Sequence, residues 1–396
     1  MHTISVAERR RRLQARHNLT SASAASDAVD AARGVLALHA SDPASVYLSV
    51  LARVPEATIK DVSAALYDDR SLVRLMAMRR TLFVVPNELV ACIHHAAALP
   101  VADRLRRGLV KDLTTLPTEP TIDGDVDTWL AEVESATVAL LADRGVATAQ
   151  QLSSDEPRLR TATLPVTDKK YDVRRTINSR LLTLLGAYGR IVRGAPRGAW
   201  TSRAHTWEPA ENWWPDGIPD VDPADARAEL ARRWLYAFGP ATIDDLKWWT
   251  GWSLTHARTA VGALDTVEVA LGDATGVALA DDLDNTPEME PSAALLPGLD
   301  PTSMGWKHRD WYLGDHATAL FDRNGNIGPT VWWHGRIIGG WTVAQDASVT
   351  WRLLEDAGSA AASAVESAAA YLQDRLVGTV VVPAFRTPLE RELSQG

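Results

Sequence analysis

Two stretches of the chain show the same order of predicted elements: a helix, a short helix, a third helix and a β-hairpin. One covers residues 126–207 and the other residues 223–280, while residues 1–114 follow this order more loosely. The short helix begins at Thr148 in one stretch and at Thr242 in the other, where threonine is a favourable N-cap. A supersecondary order that recurs in this way predicts a chain built from repeated units.

The N-terminal part of the chain combines helices with one apolar strand. We predict helices over residues 6–18 and 25–39, and a further helix that Asp42 caps and that has Pro43 at its first position. The run TLFVVP at 81–86 is rich in β-forming residues and ends at a proline, so it predicts a strand. Helices followed by a strand at this spacing are typical of a winged-helix domain.

The last hundred residues have a different pattern. Residues 316–355 alternate β-forming residues with turn signals such as Asn324-Gly325, which predicts a small antiparallel sheet or barrel. An Ala-rich helix is predicted over residues 359–376 and a closing strand over residues 378–385.

These patterns together predict an α+β fold: three tandem winged-helix units followed by a C-terminal β-rich, small barrel-like domain. A polar, proline-bearing linker at 115–125 separates the first two units. The predicted domains are residues 1–120, 121–207, 208–290 and 291–396.

The N-terminus and the single cysteine restrict the environment of the protein. The start of the chain is charged and has no apolar core of a secretory signal, and no run of 18 apolar residues predicts a membrane span. One cysteine, Cys92, allows neither an internal disulfide nor a cysteine-based zinc site. We therefore expect a cytoplasmic protein that is not secreted.

Charge is distributed very unevenly along the chain, although the net charge of the whole is -9. Residues 158–203 hold 11 Lys and Arg against 2 Asp and Glu, whereas residues 204–396 hold 13 against 28. A phosphate backbone responds to a local positive field more than to total charge, so the basic segment predicts contact with DNA. The alternative is a solvated basic surface whose arginines pair with acidic groups of the C-terminal half.

The third helix of the second unit is predicted over residues 171–189. The predicted DNA-binding residues lie around this helix, in the hairpin that follows it, and just before the strand of the first unit. They are Arg79, Arg80, Lys169, Lys170, Arg174, Arg175, Arg190, Arg193, Arg197 and Arg203. Trp200 lies among the hairpin arginines and could stack on a base or wedge between bases. Arg79 and Arg80 have the alternative of pairing with Asp68 and Asp69.

Two other groups of residues do not support a metal site or a serine hydrolase site. His94 and His95 stand next to each other near Cys92, but adjacent helical residues point about 100° apart and seldom share a metal ion. His39, Ser41 and Asp42 lack the G-x-S-x-G turn that a serine hydrolase would need.

Several longer stretches resemble one known family. LHASDPASVYLSVLAR at 38–53 and LYDDRSLVRLMAMRRTLFVVP at 66–86 resemble the opening of the winged-helix DNA glycosylase superfamily of AlkZ/YcaQ-like proteins. RLLTLLGAYGRIVRG at 180–194 continues the resemblance, as do LLPGLDPTSMGWKHRDWYLG at 295–314 and GNIGPTVWWHGRIIGGW at 325–341. The resemblance covers nearly the whole chain.

The resemblance implies an enzyme that acts on double-stranded DNA. Its expected activity is that of a monofunctional DNA glycosylase, which hydrolyses the N-glycosidic bond of alkylated, N7-substituted purines. The expected substrate is alkylated or crosslinked duplex, and the expected protein is a monomer that needs no metal, organic cofactor or obligate protein partner. The alternative is a non-catalytic winged-helix protein, either a regulator or a factor that binds lesions.

The resemblance also points to candidate catalytic residues. The family carries a Gln-x-Gln or Gln-x-Asp motif where this chain has His39-Ala40-Ser41, so neither glutamine is present. We expect His39, at the end of the predicted helix, to orient or deprotonate a water molecule, since imidazole titrates near neutral pH. Ser41 would give that water a second hydrogen bond. Asp42 would add negative charge, with an N-cap role as the alternative.

Overall fold

The computed structural model describes residues 1–167, 169–170 and 172–395 and has a mixed α+β fold. The strands of the described chain form several small sheets of two to four strands rather than one large sheet. Among the described helices, none is both long enough and apolar enough to cross a membrane.

The elements of the chain fall into four stretches. Up to residue 120 they are β1 (His2–Thr3), α1 (Val6–Arg16), α2 (Ala28–Gly34), β2 (Leu38–His39), α3 (Pro43–Leu51), α4 (Ile59–Ser63), β3 (Leu72–Met76), β4 (Leu82–Pro86), α5 (Val90–Ile93), α6 (Leu99–Thr115) and β5 (Thr118–Glu119). Between residues 121 and 220 they are α7 (Val126–Arg144), α8 (Ala149–Asp155), β6 (Ala162–Thr163), β7 (Arg175–Thr176), α9 (Asn178–Ala187), β8 (Ile191–Pro196) and β9 (His205–Pro209).

The later stretches contain three helices with a hairpin and then a four-stranded sheet with its flanking helices. The third stretch has α10 (Pro223–Phe238), α11 (Ile243–Thr250), α12 (Leu254–Gly262), β10 (Thr266–Leu271) and β11 (Ala274–Leu279). The fourth has β12 (Ala293–Leu296), α13 (Asp310–Leu313), α14 (Ala317–Leu320), β13 (Thr330–Trp333), β14 (Arg336–Val343), β15 (Val349–Leu353), α15 (Gly358–Leu376) and α16 (Pro388–Leu393).

The first three stretches share one connection between helix and sheet. In each, a residue before a helix pairs antiparallel with the second strand of the next hairpin: His39 with Phe83, Ala147 with Trp207, and Ala241 with Val277. The helix that follows is capped by a polar side chain: Asp42, Thr148 or Thr242. The predicted recurrence is therefore present in the topology of the described chain, and it extends to the first stretch.

The first stretch departs from the other two at this connection. Thr148 and Thr242 follow directly after the pairing residue, whereas Ala40 and Ser41 separate His39 from Asp42. Two extra residues therefore form a short loop at this point, and Ser41 is exposed on it.

An aromatic core joins the first, third and fourth stretches. Phe238 of α10 lies with its ring 5.1 Å from that of Trp306, and the ring of Tyr312 lies 5.5 Å from Trp306 and 5.3 Å from Trp332. Trp306, Tyr312 and Trp332 are almost completely buried. Interlocked rings of this size lose many contacts if any one moves, so the core fixes the C-terminal stretch against α10 of the third stretch.

A buried ion pair links α3 to the segment after β12. Arg53 Nη2 lies 2.8 Å from Asp300 Oδ1, and both side chains are completely inaccessible to solvent. Arg53 also donates to the carbonyl oxygen of His17 and to the hydroxyl of Thr302, while Ser49 donates to Asp300. Both the guanidinium group of Arg53 and the carboxylate of Asp300 therefore have further hydrogen-bond partners besides each other.

Some predicted elements are shorter than expected or wrong. The helix predicted over residues 25–39 ends at Gly34, and Leu38–His39 is a strand. The helix predicted to start at residue 171 begins at Asn178, so Arg174 and Arg175 are not helical and Arg175 lies on β7. In both cases a strand pairing with a distant partner replaces the local helical preference.

The C-terminal stretch is a sheet rather than a barrel. Its strands follow the order β12-β13-β14-β15 without closure, and α15 packs against β12 and β15. The helix predicted over 359–376 is confirmed. The strand predicted over 378–385 is wrong, because this segment has no strand pairing. The backbone N–H of Ala384 instead donates a hydrogen bond to the side chain of Asp42.

Candidate functional site

An open pocket of about 350 Å³ lies between the first stretch and the β8–β9 hairpin. Its lining includes Ser41, His205 and four arginines: Arg74, Arg80, Arg193 and Arg203. We call it the arginine pocket. No carboxylate lines it, and within the described residues none of the four guanidinium groups forms an ion pair. Uncompensated positive charge in a concave site attracts anions strongly.

Local structure places two of these arginines at the edge of the first sheet. Arg74 lies on β3 on the same face as Met76, and it donates a hydrogen bond to the hydroxyl of Tyr67. Arg79 and Arg80 form the tip of the β3–β4 hairpin with left-handed backbone angles of φ 54° and φ 59°. Two consecutive non-glycine residues in this region store strain, which is typical of functional sites.

The second hairpin contributes the opposite wall. The guanidinium carbon of Arg193 lies 5.2 Å from the ring centroid of Trp207, and the ring of His205 lies 5.1 Å from the same tryptophan. Burial, and then the charge of Arg74, lower the pKa of Arg193 to about 10. Arg193 is therefore still charged at neutral pH, and its charge acts in a partly desolvated place.

A second pocket of about 370 Å³ lies on the other side of the hairpin tip. Arg80 borders both pockets, and Arg79 and Arg104 join it here. The rest of this lining is largely apolar and includes Ala96, Ala97, Pro100, Val101, Leu105 and Trp252. The guanidinium carbon of Arg79 lies 4.1 Å from the ring centroid of Trp248, a close cation–π contact.

His39 lies on the opposite face of the first sheet from the arginine pocket. Successive residues of a strand point to opposite faces, so His39 and its partner Phe83 face the aromatic core. The ring of His39 lies 5.4 Å from that of Phe83, and the side chain is 8% exposed. The predicted position at a helix end is wrong, because His39 belongs to β2.

The ring of His39 nevertheless lies next to Ser41. The backbone N–H of Ser41 donates to Nδ1 of His39 over 3.4 Å, so the neutral ring carries its hydrogen on Nε2. Burial, and then the charge of Arg79, lower the pKa of His39 to about 3. His39 is therefore neutral at physiological pH, where it can accept or donate a hydrogen bond but cannot act as a cationic acid.

Asp42 has both carboxylate oxygens occupied by backbone donors. Oδ1 accepts from the N–H of Ala44 over 3.3 Å, and Oδ2 accepts from the N–H of Ala384 over 2.8 Å. The predicted N-cap of α3 is confirmed. Burial raises the pKa of Asp42, although the two backbone hydrogen bonds oppose the shift. This arrangement joins the loop that contains Ser41 to the C-terminal segment.

The structure separates several of the predicted DNA-binding residues from the arginine pocket. Arg174 lies 3.2 Å from Glu119, and Arg190 lies 3.7 Å from Glu134. Their acidic partners belong to the first two stretches rather than to the C-terminal half. Lys169, Lys170 and Arg175 are exposed outside the pocket lining.

The tip of the second hairpin has one exposed predicted DNA-binding residue and one that packs against the rest of the protein. Arg197 is exposed at the tip. Trp200 packs against the first stretch instead, with its ring 5.1 Å from that of Tyr47. In this conformation the indole of Trp200 holds the hairpin against α3.

Three ionisable side chains of the two pockets were not predicted from sequence: Arg74, Arg104 and His205. The alternation in LVRLM at 72–76, with one arginine between apolar residues, could have identified β3 and placed Arg74 on its own face. Arg104 and His205 have no such local signal, because only the packing of the hairpins brings them to a pocket.

Comparison with known proteins defines the class of the fold. The structure is similar to that of Streptomyces sahachiroi DNA glycosylase AlkZ, with a TM-score of 0.72 and 20% sequence identity over 96% of this chain and 99% of that one. The model of the family described as DNA glycosylase AlkZ-like matches residues 32–375. The chain therefore belongs to the AlkZ-like family of DNA repair glycosylases, and DNA is its class of partner. No curated protein is a significant match.

Proposed function

We propose that the protein is a monofunctional DNA glycosylase that hydrolyses the N-glycosidic bond of N7-alkylated purines in duplex DNA, without a metal or organic cofactor. The observation that carries this proposal is the carboxylate-free arginine pocket with the exposed Ser41 loop in its wall. Membership of the AlkZ-like family supports the reaction class. Alkylated or crosslinked duplex is the proposed substrate, and the proposed location is cytoplasmic and nucleoid-associated.

The three recurring stretches are proposed to be winged helices, with unit boundaries near residues 120, 207 and 290. Support comes from the one or two residues before each following helix that pair with a strand of the next hairpin. In such domains the hairpin contacts the DNA backbone or a groove. The β3–β4 and β8–β9 hairpins meet at the arginine pocket, so DNA would be held between the first two units.

The positive charges of the pocket disfavour one position for the reacting sugar. Cleavage of a glycosidic bond passes through a sugar that carries positive charge. Four uncompensated guanidinium groups would destabilise such a cation placed among them. The pocket therefore takes a phosphate of the damaged strand, and the sugar lies outside it on the side of Ser41.

His39 and Ser41 are proposed to position the attacking water. The neutral ring of His39 carries its hydrogen on Nε2 and can donate it to the water oxygen. The exposed hydroxyl of Ser41 can accept a hydrogen from the same water. Little further assistance is required, because a cationic N7-alkylpurine is already a good leaving group. Asp42 is proposed to support this loop through its cap rather than to contact substrate.

The test is release of the damaged base. Excess protein is incubated with a duplex that carries one N7-methylguanine or one bulkier N7 adduct, and the free base is measured by mass spectrometry. We expect release from the alkylated duplex and none from the matched unmodified duplex. Binding without release across the adducts would favour the alternative of a lesion-binding protein, which the missing glutamines also favour.

The salt dependence of binding should identify the pocket as the DNA contact. The substitutions Arg80→Gln and Arg203→Gln each remove one positive charge from its lining. We expect each to flatten the slope of log K against log salt by about 1, since one fewer counterion is released. Arg352→Gln, which removes an exposed arginine that pairs with Glu392, is the matched control. Equal slopes in all three variants would place the DNA elsewhere.

A further inference from the structure

His205 is a partly buried histidine at the wall of the arginine pocket that the proposed reaction does not use. Its Nδ1 lies 3.1 Å from the carbonyl oxygen of Arg203, so the neutral ring donates from Nδ1. Its other nitrogen, Nε2, is buried and has no hydrogen-bond partner. A buried polar atom without a partner is costly and is therefore uncommon away from functional sites.

The charged groups around His205 are cations from three elements. Arg193 lies on β8, Arg74 on β3, and Arg203 is two residues away in the hairpin loop. The carboxylate of Glu208 on β9 instead lies 3.8 Å from Arg70 and accepts from Asn212. Burial, and then the charges of Arg193 and Arg74, lower the pKa of His205 to about 4. The imidazole is therefore neutral while the pocket is empty.

We propose that the arginine pocket binds a single phosphate of the DNA backbone and that His205 takes up one proton from solvent when it does. The inference rests on the proposed binding of a DNA phosphate in this pocket and adds its linkage to the protonation of His205. Burial and the charges of Arg193 and Arg74 keep the ring neutral. A phosphodiester in the pocket offsets these positive charges and adds a negative charge beside the ring, which favours its protonated form. The proton adds at Nε2, while Nδ1 keeps its hydrogen bond to Arg203.

The sign of the pH dependence follows from this uptake. The free protein has the lower pKa and the DNA complex the higher one, so lowering the pH favours the complex between these two values. Affinity should rise as the pH falls from about 7 to 5, with a limit of about tenfold per pH unit for one proton. Above the pKa of the complex, affinity should not depend on this group.

Calorimetry can count the proton directly. Binding of an unmodified duplex is measured at about pH 5.5 in buffers of different ionisation enthalpy, and the slope of observed enthalpy against buffer enthalpy gives the protons taken up. We expect an uptake in the wild type that is lost in His205→Gln and in His205→Asn. Thermal melting verifies that the variants are folded, and His2→Gln, at an exposed histidine on β1, is the matched control. Equal uptake in His205→Gln and the wild type would overturn the linkage.

The phosphate itself can be located by neutralising one linkage at a time. A series of duplexes, each with one uncharged methylphosphonate, is titrated with the wild type and with the double variant Arg74→Gln, Arg203→Gln. We expect one position at which neutralisation weakens the wild type at least tenfold more than the variant. Equal losses at every position would show that no single phosphate occupies the pocket. These measurements require no base release, so they remain informative if the protein proves not to be an enzyme.

Discussion

Replacing Asp300 by alanine is expected to lower the free energy of unfolding by about 3–5 kcal/mol, because it leaves the buried guanidinium of Arg53 without its counterion. Both side chains are inaccessible to solvent, and Arg53 donates to both oxygens of Asp300 over 2.9 and 2.8 Å. Ser49 Oγ and the N–H of Thr302 donate to the same carboxylate and lose their acceptor as well. Chemical denaturation monitored by tryptophan fluorescence gives the difference.

An exposed ion pair serves as the control for this variant, and the stability that Asp300 contributes should depend on pH. Glu392→Ala breaks an exposed pair with Arg352 and should cost at most about 1 kcal/mol. Burial alone would raise the pKa of Asp300, but the charge and hydrogen bonds of Arg53 and Ser49 outweigh it and hold the pKa below its usual value. A carboxylate of this kind stabilises the fold above its unfolded pKa, and that stability is lost as the pH falls below about 4.

The pair can also be removed as a unit. Arg53→Met combined with Asp300→Leu leaves no buried charge, and we expect this double variant to be more stable than Asp300→Ala alone. A loss below about 1 kcal/mol in Asp300→Ala would show that water or a rearranged partner compensates Arg53.

Local sequence signals predicted the parts of the fold that depend on neighbouring residues. Thr148 and Thr242 were predicted to start helices, and both form reciprocal capping hydrogen bonds with a side chain three residues later. The predicted third hairpin is present as β10–β11, and its turn contains Gly272, which has a positive φ. Such signals need no knowledge of distant contacts.

The parts that failed depend on partners far along the chain. His39 was assigned to a helix, but it pairs with Phe83, 44 residues away, and nothing near residue 39 marks a strand of two residues. The segment around Arg175 was assigned to a helix for the same reason, because β7 pairs with β6. Short strands of this kind exist only through tertiary pairing.

The sequence likewise predicted only some of the residues of the candidate site. Arg80, Arg193 and Arg203 were predicted to contact DNA, and the structure brings them to the same pocket as Ser41. Their contact with DNA stays a prediction. Composition could not distinguish these residues from Arg174 and Arg190, which lie beside Glu119 and Glu134. Whether an arginine is compensated depends on which acidic residue the fold places beside it.

The second large effect concerns His39, which should be required for catalysis but not for binding. His39→Ala is expected to slow single-turnover base release by about 100- to 1,000-fold, the range for losing a group that positions the attacking water. DNA affinity should change less than about threefold, because the ring faces away from the arginine pocket. His39→Gln, which introduces the glutamine of the family motif, should retain more activity than His39→Ala, and His2→Ala is the control at an exposed histidine.

The pH profile separates this role from that of a titrating base. With the pKa of His39 lowered to about 3, the ring stays neutral through the working range, so release should be independent of pH between about 5 and 8. The rate should fall only at lower pH, when protonation of Nδ1 breaks the hydrogen bond from Ser41 N–H and turns the ring into a cation beside the reacting sugar. An acid limb near pH 6.5 that disappears in His39→Gln would instead mean that DNA binding raises the pKa of His39 and that the imidazole removes the proton from water.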